Sequence, residues 1–141
     1  MSVDVTITKF SKKYNIENIR HKFVKYFFEE CKDKKILNEY KELEYYTDNK
    51  LINHVIFSNL KENYCEDSAS LISKDELKKS INILCKIYND LNEEKEVEEE
   101  YKEYILYNFD KNNFLLEIEN LRNIMNDMNE EYFTYIYHVT Y

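Results

Sequence analysis

The sequence predicts an all-α fold: a single-domain bundle of six to seven helices, framed at its two ends by short β-strands. Three observations predict it. Apolar residues recur at steps of three and four through most of the chain, which is the period of an amphipathic helix. The first ten residues alternate instead, with Val3, Val5 and Ile7 on one side. The last ten, Tyr132–Tyr141, are rich in β-branched and aromatic residues. The reading divides the chain into an N-terminal extension over 1–12, a bundle over 15–130 and a final segment over 131–141. The two end strands are candidates to pair with each other. A competing reading makes the last segment a helix with Phe133, Ile136 and Tyr137 inward.

The first predicted helix runs from about Ile16 to Cys31. Its apolar side chains cover an arc of about 200°, wider than the roughly 100° stripe of a surface helix. The flank formed by Val24, Phe28 and Cys31 therefore needs a second neighbour, either another helix or another chain. A second helix follows over about Asp33–Tyr46, with Ile36, Leu37, Tyr40 and Leu43 inside and Asp33 as its N-cap. A third spans about Asp48–Asn63 behind an Asp48 cap, burying Leu51, Ile52, Val55, Ile56 and Leu60. The polar stretch Glu66–Ser70 reads as a break.

The fourth helix begins at Ser73. Glu76, three residues on, completes a capping box. Leu77, Ile81, Leu84, Tyr88 and Leu91 then recur at helical steps, and Ile83, Cys85 and Ile87 widen the stripe, so this helix is expected to be central. The fifth, about Glu94–Phe109, opens in an acid-rich run, which suits the positive end of a helix dipole. The sixth, about Asn112–Met128, follows a short turn and buries Phe114, Ile118, Leu121, Met125 and Met128.

The chain has no glycine and no proline, one alanine, Ala69, and two arginines, Arg20 and Arg122, in 141 residues. Lys, Asn, Ile, Tyr and Phe are abundant. That pattern follows the codons of a very AT-rich genome. It also removes chemistry: without glycine there is no phosphate-cradling Walker loop, dinucleotide fingerprint or EF-hand loop. The net charge of −8 argues against nucleic acid, whose binding is dominated by phosphate neutralisation, and against an anionic membrane surface. A basic protein partner fits it better.

Cys31, Cys65 and Cys85 are odd in number and widely spaced, which reads as free thiols in a reducing compartment. No apolar run is long enough for a membrane helix, and none reads as a signal peptide. His21, His54 and His138 lack ligand spacing. No metal site, no cofactor and no catalytic residues are expected, and the protein is read as not an enzyme. The run Glu93–Glu103 is either a docking patch for a basic partner or a solvated helix face. Tyr45, Tyr46 and Tyr64 fall at expected helix ends or in the break, where they read either as ordinary packing residues or as exposed aromatics of a partner interface.

The segment Ser73–Leu91 resembles the central helix of poxviral Bcl-2-like proteins, in which a Lys/Asp-rich start leads into an Ile-Leu-Cys-Lys-Ile type core. Ile16–Phe28 is similar to that family's first helix. The resemblance spans about Ile16–Met128. It implies a Bcl-2-like bundle and a non-enzymatic virulence factor in the host cell cytoplasm. Such a factor binds host proteins to inhibit innate signalling upstream of NF-κB and interferon induction. It also implies a homodimer, whose interface falls here on Val24, Phe28 and Cys31. An apoptosis inhibitor that seats a pro-apoptotic helix in a groove is the alternative. A helical scaffold protein of a large DNA virus or a parasite is the alternative from another class. The absence of a C-terminal membrane anchor tilts the reading toward signalling.

Overall fold

The computed structural model describes residues 3–11, 41–60, 69–105 and 109–140. Their elements run β1 (Asp4–Ser11), β2 (Lys41–Thr47), α1 (Lys50–Ser58), β3 (Ala69–Leu71), α2 (Lys74–Asn92), α3 (Glu99–Ile105), α4 (Lys111–Asp127) and β4 (Phe133–Thr140). The expected bundle of six to seven helices is therefore corrected. The described residues form four helices and a four-stranded antiparallel sheet of order β2-β1-β4-β3.

The two end strands form and are the middle of that sheet. β1 pairs with β4 along its whole length, from Asp4↔Thr140 to Ser11↔Phe133. The choice between strand and helix for the final segment thus falls on strand. The physical reason is burial on both faces. Tyr135, Tyr137 and Val139 join the main core, while Thr134 and Ile136 are buried on the opposite face. A helix would have turned part of that continuous apolar run to solvent.

The largest departure lies at β2. A helix over Asp33–Tyr46 is replaced, within the described part, by a strand over Lys41–Thr47. Tyr45 and Thr47 are buried and Tyr46 is exposed, a period of two. The register with β1 steps from Ile7↔Tyr45 to Thr8↔Leu43, leaving Glu44 as one extra residue in a bulge. The first predicted helix, Ile16–Cys31, lies outside the described residues.

The helices cover one face of the sheet. α1 contributes Leu51, Ile52, Val55 and Ile56, α2 contributes Leu77, Ile81, Leu84 and Ile87, and α4 contributes Phe114, Ile118 and Leu121. These meet Val5, Ile7, Tyr45, Tyr135, Tyr137 and Val139 of the sheet in a single cluster. Each fully buried large apolar side chain stabilises by about 1.5–3 kcal/mol relative to exposure. Phe10 and Ile136 are fully buried outside that cluster, on the second face of the sheet.

α2 begins as its sequence predicts. Ser73 Oγ accepts from the Glu76 N–H at 3.1 Å, and Glu76 Oε1 accepts from the Ser73 N–H at 3.0 Å. α1 is capped by Asn49 rather than Asp48, and α4 by Asp110, whose carboxylate accepts from the N–H groups of Asn112 and Asn113. α3 is shorter than the expected Glu94–Phe109 helix and has no fully buried residue.

α2 ends in a Schellman closure. The Lys95 N–H donates to the Asp90 carbonyl at 2.8 Å, and the Glu94 N–H donates to the Leu91 carbonyl at 3.3 Å. That closure needs a left-handed residue, usually glycine. Here it is Glu94, at φ 57°, the one positive-φ residue among those described.

Candidate functional site

The chain's acidic run lies where the helical layer meets solvent. Residues 93–103 carry seven glutamates and two lysines. Every one of those glutamates is exposed, and only Val97 of the run is buried. Val97 acts as an apolar peg that pins the segment between α2 and α3 to the core cluster.

A groove of about 200 Å³ opens beside this peg, lined by Ile83, Lys86, Ile87 and Asp90 of α2 and by Val97, Glu98 and Tyr101. Ile87 and Val97 form its buried floor, while Ile83 and Tyr101 are half-exposed walls. Lys86 stands 3.4 Å from Glu98 and 3.9 Å from Asp90. The ammonium at the rim is thus already flanked by two carboxylates. Farther along, Lys102 lies 2.9 Å from Glu96 and 3.0 Å from Glu99. The hydrogen bond from Lys102 holds the Glu96 carboxyl below its usual range.

α3 leans on α1 through an aromatic contact. The His54 ring stacks on Tyr104, centroids 5.0 Å apart, and meets Tyr101 edge-on at 6.0 Å. His54 Nε2 is 3.5 Å from Glu100 Oε2. Partial burial raises the phenol pKa of both Tyr101 and Tyr104. A second, wider cleft of about 400 Å³ lies at the start of α1 and α4, between Asp48, Asn49, Glu103, Phe109 and Asn113. Of its polar groups, Asn49 and Asp110 are engaged as helix caps.

At the seam between β2 and α4, Glu117 accepts hydrogen bonds from the hydroxyls of Thr47 and Tyr45. Burial pushes the Glu117 carboxyl above its usual range, and nearby Asp48 adds to the push. The Tyr45 phenol is raised far above its usual value, first by burial and then by the Glu117 charge.

The residues singled out from the sequence are distributed as follows. Tyr45 is not a surface aromatic: it is 5% exposed and belongs to the core, because β2 turns it inward. Tyr46, its neighbour, is 54% exposed and donates to Asp4 at 2.7 Å. Val24, Phe28, Cys31 and Tyr64 lie outside the described residues, as do Cys65 and His21. Cys85 is a half-buried free thiol that accepts a 2.9 Å hydrogen bond from Arg122. Among the described residues, no three His, Cys, Asp or Glu side chains group to hold a metal ion, and no helix is long and apolar enough to cross a membrane.

The groove was missed because its walls, Ile83 and Tyr101, read as ordinary helix-face residues. The signal present in the sequence was Val97, a single apolar residue inside seven glutamates. No family model, curated protein or solved structure matches the chain. The fold and surface therefore define it as a small protein of helices layered on an antiparallel sheet, with an acidic, grooved edge.

Proposed function

We propose that this protein is a non-enzymatic binding module whose partner is a basic protein surface. The observation that carries the reading is the run 93–103, with all seven glutamates in solvent and its one buried residue serving as an anchor. Seven carboxylates against two lysines, Lys95 and Lys102, leave the run with an excess of negative charge and the patch with a negative potential. A partner bearing lysine or arginine offsets that excess and is steered toward it over about a Debye length, roughly 8–10 Å at physiological salt. Several other polar side chains serve the fold. Asn49, Ser73 and Asp110 cap helices, Asn53 accepts from the Tyr137 hydroxyl, and Thr47 and Tyr45 hold Glu117.

Inhibition of innate signalling and capture of a pro-apoptotic helix were implied by a Bcl-2-like bundle. The sheet replaces that bundle, so the structure lends those two targets no support. A cytoplasmic location remains part of the proposal, and the free Cys85 thiol is compatible with the reducing compartment it requires. The test is affinity capture at low salt with chemical cross-linking. Recovered partners are expected to be basic proteins, cross-linked within residues 86–103 and released by about 0.5 M salt, where screening is nearly complete. Recovery of acidic or salt-insensitive partners would overturn the reading.

A further inference from the structure

We infer that the groove between α2 and Val97–Tyr101 docks a partner segment bearing one aromatic or branched apolar side chain flanked by lysine or arginine. This rests on the basic-partner reading and names its point of contact. The floor, Ile87 and Val97, is apolar and already desolvated, and the walls Ile83 and Tyr101 remain half open. An apolar cavity of about 150 Å³ accepts benzene, so the groove's 200 Å³ accepts one ring or one branched side chain. It does not accept a whole helix face.

Charge sets what surrounds the anchor. Asp90 and Glu98 stand at the rim, and the exposed Glu93, Glu94, Glu96, Glu99 and Glu100 flank Val97 and Glu98 in sequence, three of them paired with Lys95 or Lys102. The rim cation, Lys86, lies between Asp90 and Glu98 and leaves the edge acidic. A second copy of this chain is a poor occupant, since each copy carries −8 and like charges brought together at an interface are repelled. α3 buries no residue completely. A side chain seated in the groove would pack against the half-exposed face of Tyr101.

The experiment is a fluorescence-anisotropy titration with a labelled peptide carrying one phenylalanine between two pairs of lysines. Replacing that phenylalanine with alanine is expected to weaken binding roughly tenfold, the scale of a truncated interface anchor. Ile83→Trp fills the groove and is expected to weaken the intact peptide by a similar factor while the far-ultraviolet circular dichroism stays unchanged. Tyr101→Ser tests the opposite wall if Ile83→Trp fails to fold. Glu98→Gln is expected to weaken binding about twofold to threefold at low salt and little at high salt.

If folded Ile83→Trp and Tyr101→Ser both bind the peptide as tightly as the natural chain, the groove is not the site, and the basic-partner reading survives on the acidic run alone. If no lysine-flanked peptide binds at all, the basic-partner reading itself falls. If sedimentation shows a dimer that Ile83→Trp dissolves, the occupant is a second copy and the proposal is overturned.

Discussion

Glu94→Gly replaces the residue that closes α2, and the gain follows from three terms. A non-glycine residue in the left-handed region pays about 1–2 kcal/mol, and Glu94 sits there at φ 57°. Glycine relieves that strain but loses about 0.5–1 kcal/mol more conformational entropy on folding. The substitution also removes a carboxylate from the negative end of the α2 dipole, worth about 0.3–1 kcal/mol, and from the acid run around it. The net expectation is a stabilisation of about 1 kcal/mol. Glu94→Ala is the control, because it removes the charge and keeps the strain. Glycine should therefore exceed alanine by several tenths of a kcal/mol or more, and Glu94→Asn should fall between them. Urea unfolding with a common m-value reads the differences directly. If glycine is no better than alanine, the residue is not held left-handed and the closure seen in the hydrogen bonds is wrong.

Other expectations follow from the same structure. Tyr137→Phe strips the hydroxyl that ties β4 to Asn53 of α1. It should destabilise by about 1–2 kcal/mol in urea unfolding. A double-mutant cycle with Asn53→Ala should show coupling of at least about 0.5 kcal/mol; additivity would mean that the helices do not seat on the sheet as described. Ser73→Ala should cost about 1 kcal/mol through the capping box, measured the same way. Glu117 carries a raised carboxyl pKa in the folded state. The folded protein therefore holds its proton at a pH where the unfolded chain releases it, and stability falls as pH rises from the ordinary glutamate value through the raised one. Glu117→Gln should be at least as stable as the natural chain near pH 7, with the difference shrinking in more acidic solution. A difference that grows on acidification would contradict the sign.

What the sequence made legible was whatever rested on local chemistry. The Ser73 and Glu76 pair marked the start of α2 to the residue, because a capping box is contained in four positions. The alternation of Val3, Val5 and Ile7 marked β1, because strand period is visible within five residues. The β2 segment was hidden by a coincidence of periods. Ile36, Leu37, Tyr40 and Leu43 satisfy a helix, while only the short stretch Tyr45–Thr47 keeps the strict alternation of a strand, the bulge at Glu44 breaking it before that. Pairing with β1 decides between them, and pairing is a long-range contact that no local window contains. Asn49 displaced Asp48 as the cap of α1 for a smaller reason: both residue types cap well, and the helix begins at Lys50. The groove depends on how Val97 seats beside α2 and α3 beside α1, so it too was out of reach of the periodicity.

The two central strands of the sheet, β1 and β4, are the first and last described elements of the fold. During synthesis β1 emerges with no sheet to join. At about 5–20 residues per second, the ribosome needs on the order of ten seconds to deliver β4 after it. Through that interval Val5, Ile7 and Phe10 have neither their β4 neighbours nor a finished core. The sheet of the described elements is thus closed only once β4 has been made. A loss of the final ten residues would open the sheet through its middle, separating β3 from β1, rather than trim an edge.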